Sequence, residues 1–152
     1  AWYQGGTEIV FACGGGIYTS AAEAAKKVGG KVIGVDVDQS AIIDGAYGEG
    51  MTITSAMKGL APTTIDTLTD VVVNGKWADY AGKIVSLGLV SEDPAANYVQ
   101  LSGTTQFGDA FSEADYAAMV KGMFDGSIKV SNDISAEPAV TNVNVEYLGN
   151  LK

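Results

Sequence analysis

The sequence predicts an α/β fold, with a doubly wound, mostly parallel sheet that carries helices on both faces in the flavodoxin-like strand order. Two observations support this prediction. Between residues 7 and 89, short apolar runs rich in β-branched residues alternate with amphipathic stretches and glycine turns. That alternation is typical of βαβ units, whose strands lie parallel in one sheet. The composition, 47% hydrophobic and 18% charged over 152 residues, is that of one globular domain with its own core.

The first half of the chain predicts three strands and one helix. Apolar residues run together or alternate in three segments, so we expect strands at 7–12, 31–35 and 51–55. A helix is expected over about residues 20–28, because Ser20 and Glu23 have the spacing of a capping box. The small residues on the face of this helix that meets the sheet are Ala21, Ala24, Ala25 and Val28. Residues 41–50 are glycine-rich, and we expect them to be irregular.

The second half predicts two helices and further short strands. A helix over about residues 64–73 follows Pro62, with apolar residues on one face at Ile65, Leu68 and Val72. The clearest helix spans residues 112–124, where Ser112 and Asp115 form a capping box. Its apolar stripe consists of Tyr116, Met119, Val120, Met123 and Phe124. Further strands are expected at 83–89, at 98–101 within a long loop over 90–108, and at 128–130.

We expect two segments in the chain. Residues 1–130 are predicted to form one α/β ligand-binding lobe, and residues 131–152 a linker that leads into an edge strand at 140–147. The opening residues Ala1–Gln4, followed by two glycines, have the pattern of the last turn of a helix. Because a chain rarely begins there, we expect an N-terminally truncated piece of a longer protein. No apolar run approaches the roughly 20 residues that a membrane-spanning helix needs.

Charge and residue types exclude several functions. The net charge is −9, and the nine basic residues are all Lys, with no Arg and no His. A nucleic-acid partner is not expected, because such proteins gain affinity from basic side chains that neutralise phosphates. The absence of His removes His general bases, His-containing triads and His metal sites. Neither a metal nor a cofactor is predicted for the binding site. Cys13 ends an apolar strand and is expected to be buried rather than to act as a nucleophile.

Polar side chains follow the predicted strands at the points where a parallel sheet binds ligands. Asp36 ends the strand at 31–35, Gly14 and Gly15 follow the first strand, and Lys58 stands just after the third. Ligands bind outside the carboxyl ends of such strands. A carboxylate that accepts two hydroxyl groups and an ammonium that donates to a third form a site for a polyol or a ribose. Equally, Asp36 could serve as a turn cap, Lys58 as a solvated side chain, and the glycines as a plain turn.

A second pattern suggests phosphatase chemistry. Asp36-Val-Asp38 after an apolar strand, with Ser55, Lys58 and Asp109 further on, resembles the parts of a haloacid-dehalogenase-type phosphatase in order. There the first Asp would be the nucleophile, the second the acid/base, and the acids would hold Mg²⁺. The short spacing from Ser55 to Lys58 departs from that family. A third hypothesis is an interaction domain whose acidic loops only keep it soluble.

One resemblance covers most of the chain. The sequence resembles the basic-membrane-protein (BMP) family of solute-binding lipoproteins, the purine nucleoside receptors of ABC transporters. The segments that match are Gly5-Gly6 with Ile9-Val-Phe11, the Gly14 turn, Ala24-Ala25-Lys26, Val32-Ile-Gly-Val-Asp-Val-Asp-Gln39, Thr54-Ser55 with Lys58, Gly88-Leu89 and Gly126-Ser-Ile-Lys-Val130. The Val32–Gln39 unit followed by Ser-x-x-Lys is the most specific of them.

The resemblance implies one lobe, the C-terminal one, of a type I periplasmic-binding-protein fold. It implies a binder and not an enzyme, which captures a nucleoside for an ABC permease. Asp36 would hold ribose hydroxyls, assisted by Lys58 and by Gly14 or Gly15. The protein would be extracytoplasmic, at the cell surface or in the periplasm, and held at the cell membrane through a lipid anchor that this chain lacks. One lobe alone is expected to bind nucleoside weakly or not at all.

Overall fold

The computed structural model describes residues 1–149, and the chain forms an α/β domain. Its strands are β1 (Ile9–Phe11), β2 (Lys31–Asp36), β3 (Thr52–Lys58) and β4 (Val99–Leu101). Its helices are α1 (Tyr18–Lys26), α2 (Ser40–Tyr47), α3 (Leu60–Leu68), α4 (Trp77–Tyr80) and α5 (Glu113–Phe124). A π-helical turn, Thr69–Val73, continues α3, and single 3₁₀ turns lie at Tyr3–Gly5, Gly15–Ile17 and Pro94–Ala96.

The four strands form one mostly parallel sheet flanked by helices, which confirms the predicted α/β class and the mostly parallel sheet but not the doubly wound arrangement. Strands β1, β2 and β3 are parallel, and β4 adds to β3 in the antiparallel direction. The flavodoxin-like order is wrong, because the sheet runs β1-β2-β3-β4 without a reversal. Each parallel connection leads to the next strand in the same direction across the sheet. Because such crossovers are right-handed, α1 and α2 lie on one face of the sheet, where they pack against each other. On the other face of β1, Ile9 and Phe11 are exposed.

The core lies between this sheet and the helices α1 and α2. Its buried residues are Tyr3, Ala22, Ala25, Val32, Ile43 and Met51. Alanines on α1 bring the helix backbone close to the sheet, because a larger side chain would hold the two apart. The hydroxyl of Tyr3 donates a hydrogen bond of 2.5 Å to the carbonyl oxygen of Lys31. This bond fixes the start of the chain to the first residue of β2.

Three of the predicted strands do not form. Residues 83–89 contain no strand, and Ile84 is 98% exposed. The edge of β3 that such a strand would need is occupied by β4, which lies where the sequence predicted a short strand at 98–101. Residues 128–130 and 140–147 have no strand either, and 131–149 have no regular secondary structure. The remainder of the predicted 131–152 segment lies outside the described residues.

The helices agree with the sequence where a cap defines them. Helix α5 begins after Ser112, whose hydroxyl accepts the Asp115 amide while the Asp115 carboxylate accepts the Ser112 amide, as predicted. In contrast, α1 begins at Tyr18, so Ser20 lies inside the helix and the expected capping box is absent. Residues 41–50, expected to be irregular, largely belong to α2, which buries Ile43.

Helix α3 differs from its prediction in both its start and its surface. It begins at Leu60, and Pro62 lies in its first turn, where a missing N–H costs nothing. The apolar residues expected on one face are more than half exposed: Ile65, Leu68 and Val72. No neighbouring element within residues 1–149 covers this stripe.

Candidate functional site

Asp36 and Lys58 meet at the carboxyl edge of the parallel sheet. Asp36 is the last residue of β2, and its register partner on β3 is Met57, next to Lys58. The ammonium Nζ of Lys58 lies 2.6 Å from the carboxylate Oδ1 of Asp36. The sequence predicted that these two residues would converge on one edge of one sheet, and the structure places them in direct contact.

The backbone of Asp36 is unusual. Its φ is +71°, and it is the one residue other than glycine with positive φ between residues 1 and 149. Asp tolerates this left-handed conformation better than most residues, because its short polar side chain can hydrogen-bond locally. Residues held in such conformations occur often at functional sites. The conformation ends β2 and begins the turn that leads into α2.

The two charges differ in their access to solvent. The Asp36 side chain is 34% exposed, and that of Lys58 is 64% exposed. The Oδ1 atom of Asp36 is itself buried, and apart from the Lys58 ammonium it has no hydrogen-bond partner in the described chain. Bonding to the Asp36 carboxylate and its charge raise the pKa of Lys58 above the usual value. Lys58 therefore stays charged at neutral pH and can donate two further hydrogen bonds.

Gln39 connects the three strand ends behind this pair. Its side-chain oxygen accepts the backbone N–H of Val35 at 2.9 Å, and its side-chain nitrogen donates to the carbonyl oxygen of Gly15 at 3.2 Å. Its own backbone N–H donates to the Ser55 hydroxyl at 3.1 Å. Gln39 and Ser55 are buried. Both stand in the matched sequence pattern, and Ser55 also in the phosphatase pattern. Sequence reasoning gave Gln39 no role, because a buried amide and an exposed one look alike in a sequence.

The glycine turn takes part only indirectly. Gly15 has a φ of +47° and is linked to the β2 turn through Gln39. The backbone N–H of Gly14 donates to the Ala12 carbonyl at 2.9 Å, so it is already used within the turn. No hydrogen bond joins Gly14 to Asp36 or Lys58 among residues 1–149. Cys13, expected to be buried, is exposed and lies near enough to add to the upward shift of the Lys58 pKa.

Asp38 forms a second contact on this rim. Its Oδ1 accepts the Ser40 amide at 3.0 Å, and its Oδ2 accepts the Thr104 hydroxyl at 2.8 Å. Burial alone would raise the pKa of Asp38, but these hydrogen bonds outweigh it and hold the pKa below its usual value. Both Asp38 oxygens are thus engaged by the protein itself, whereas the one contact of the Asp36 carboxylate within residues 1–149 is the Lys58 ammonium at Oδ1. The contact with Thr104 joins residues 66 positions apart and was not predicted.

The acidic residues of the described chain do not converge on a metal site. Within residues 1–149, no three His, Cys, Asp or Glu side chains are placed to hold a metal ion together. Nor does this part of the chain contain a helix long and apolar enough to cross a bilayer. No family model and no curated protein matches this sequence.

Proposed function

We propose that this chain is the ligand-binding lobe of a solute receptor for an ABC importer, and that it captures a purine nucleoside or a similar ribose-bearing solute. The observation that supports this proposal is the contact between Asp36 and Lys58 at the edge of the sheet. One carboxylate can accept both hydroxyls of a vicinal diol. The neighbouring ammonium neutralises that carboxylate and retains protons to donate to the same sugar.

The rigidity behind the pair supports a binding role. Gln39 holds the turn after β1, the end of β2 and the Ser55 position of β3 together through three hydrogen bonds of 2.9, 3.1 and 3.2 Å. A site fixed in this way loses little conformational entropy when a ligand binds. On this proposal, the lobe belongs to a type I periplasmic-binding fold, and closure against a second lobe buries the ligand. The receptor would work outside the cytoplasm as a membrane-anchored lipoprotein beside its permease.

The test uses inosine and NMR, because a single lobe is expected to bind weakly. Amide shifts are followed during titration with inosine up to about 10 mM, a range that detects millimolar affinity. We expect saturable shifts at Gly15, Asp36 and Lys58. Inosine whose 2′ and 3′ hydroxyls are blocked as an acetal should produce none, because the diol can no longer reach the carboxylate. Equal shifts with both compounds, or inosine shifts located only at other residues, would contradict the proposal.

Two substitutions separate receptor from phosphatase. Asp36→Asn should abolish the inosine shifts, whereas Asp38→Asn should leave most of them, because both Asp38 oxygens already bind the protein. A phosphatase needs both acids, so turnover of a generic phosphate ester with Mg²⁺ that disappears in both variants would favour the enzyme. No observation in the described residues favours it, since their acids form no metal-binding group.

A further inference from the structure

We propose that a cavity between β4 and α5 binds a small organic cation: an amine that carries an apolar or aromatic group. The cavity has a volume of about 490 Å³, within the range of small-molecule sites. It is distinct from the Asp36–Lys58 edge. Met57 lines it, and successive residues of a strand point to opposite faces, so the neighbouring Lys58 side chain lies on the other face of β3.

Part of the wall is apolar and aromatic, beside the polar residues Gln100 and Thr105. Met57, Leu101 and Ala117 line this part together with the rings of Phe107 and Tyr116. The centroids of these two rings are 6.2 Å apart, and their planes are tilted by 32°. An aromatic face attracts a cation that lies within about 6 Å of it, and an apolar group gains from leaving water at the same surface. The walls therefore suit a ligand with both parts.

The charged groups at the cavity are all acidic. Asp93 and Glu113 line it, and no Lys does. Glu113 is exposed and has no hydrogen-bond or ion-pair partner within residues 1–149. Asp93 uses its Oδ1 to accept the Ala95 amide at 2.9 Å, which leaves its Oδ2 for a ligand. No basic side chain lines the cavity, and Lys121, one helical turn beyond Ala117, is paired with Glu92 at 2.6 Å. The two carboxylates therefore favour a positively charged guest and repel an anion.

One further polar group can orient the guest. The Tyr116 hydroxyl accepts the backbone N–H of Leu101 at 3.1 Å, so its own proton remains available for a hydroxyl or carbonyl oxygen of the ligand. The N-terminus of α5 would by itself favour an anion. That tendency is offset, because the first turn carries Glu113 and Asp115 and the capping box already uses the amides of Ser112 and Asp115.

Three probes of the same shape test the inference. Phenethylamine, 2-phenylethanol and phenylacetate carry the same ring with a positive, a neutral and a negative end. In ¹⁵N NMR titrations we expect saturable shifts at Phe107, Tyr116 and Ala117 with phenethylamine, weaker shifts with the alcohol and none with the acid. Equal response to all three, or phenethylamine shifts located at Asp36 and Lys58 instead, would overturn the inference.

Matched variants locate the charge. Glu113→Gln should weaken phenethylamine binding about three- to fivefold, the effect of one partly exposed charge pair. Asp109→Asn removes an equally exposed acid that lies outside this cavity, and it should leave the affinity unchanged. Added salt should weaken binding to the unmodified chain, because it screens both carboxylates. A phenethylamine affinity that does not change with salt, or that changes equally in Glu113→Gln and Asp109→Asn, would exclude the site. Inosine binding serves as an independent readout, since Glu113→Gln leaves the Asp36–Lys58 pair intact.

Discussion

Replacing Gln39 by Leu is expected to destabilise the domain by about 2–4 kcal/mol, although Leu has a similar volume. The side chain is buried and makes two hydrogen bonds, to the Val35 amide and to the Gly15 carbonyl. After the change, the Val35 N–H is buried without a partner, which costs about 1–3 kcal/mol. Loss of the bond to Gly15 adds about 0.5–1.5 kcal/mol, the net value of an ordinary hydrogen bond.

The assay is thermal unfolding followed by circular dichroism, supported by urea titration. For a domain of this size, each kcal/mol lowers Tm by about 2–4 °C, so a fall of about 5–15 °C is expected. The matched control is Gln106→Leu. Gln106 also makes two side-chain hydrogen bonds, in its case both as donor, to the Gly50 and Thr52 carbonyls, but its side chain is exposed and water can replace it.

The control should therefore lower Tm by less than a third of the effect at Gln39. Equal effects of the two substitutions would refute the reasoning, because buried and exposed amides would then contribute alike. A smaller fall in Tm for Gln39→Leu than for Gln106→Leu would refute it as well.

Three further predictions concern the same sheet edge and one surface cluster. Gly34→Ala should destabilise the fold by about 1–3 kcal/mol in urea titration, because the Cβ of the new alanine would lie 2.6 Å from the hydroxyl oxygen of the buried Ser55. Asp36 raises the pKa of Lys58. The contribution of this ion pair to folding stability is therefore complete below the ordinary lysine pKa, and it is lost as the pH rises through the raised pKa of Lys58. Direct NMR titration of the ammonium should show this, and Asp36→Asn should return the pKa to its usual value. Side-chain hydrogen bonds, the largest from Asn74, lower the pKa of Asp70 to about 2. Its contribution to folding stability should therefore be complete above the usual Asp pKa and disappear as the pH falls towards 2. Carboxyl NMR checks this, and a titration midpoint at the usual Asp pKa would contradict it.

The sequence predicted the parts of the fold that depend on local signals. Strand β2 and helix α5 were predicted because a β-branched run and a capping box each consist of residues that are close together in the sequence. The convergence of Asp36 with Lys58 was found because strand ends of a parallel sheet share one edge. These inferences need no knowledge of distant partners.

Two errors are local, the expected capping box at Ser20 and the irregular stretch expected at 41–50. The others have a different cause, because they depend on which segments become neighbours. Residues 83–89 have the pattern of a strand, but the edge that they would need belongs to β4. The order of the strands was wrong for the same reason, since a flavodoxin-like order and a sequential one use the same local patterns. The contact between Asp38 and Thr104, the burial of Gln39 and the exposure of Cys13 are likewise set by packing between distant parts of the chain.

The left-handed backbone of Asp36 limits how this position can change. Asn keeps both the φ of +71° and the size of the side chain while removing the charge, and Gly keeps the backbone alone. Glu would preserve the charge but strain the turn, and a β-branched residue would strain it further. Asn and Gly are therefore the substitutions that remove the carboxylate without straining the turn, whereas a carboxylate is kept at this position without strain only by Asp itself.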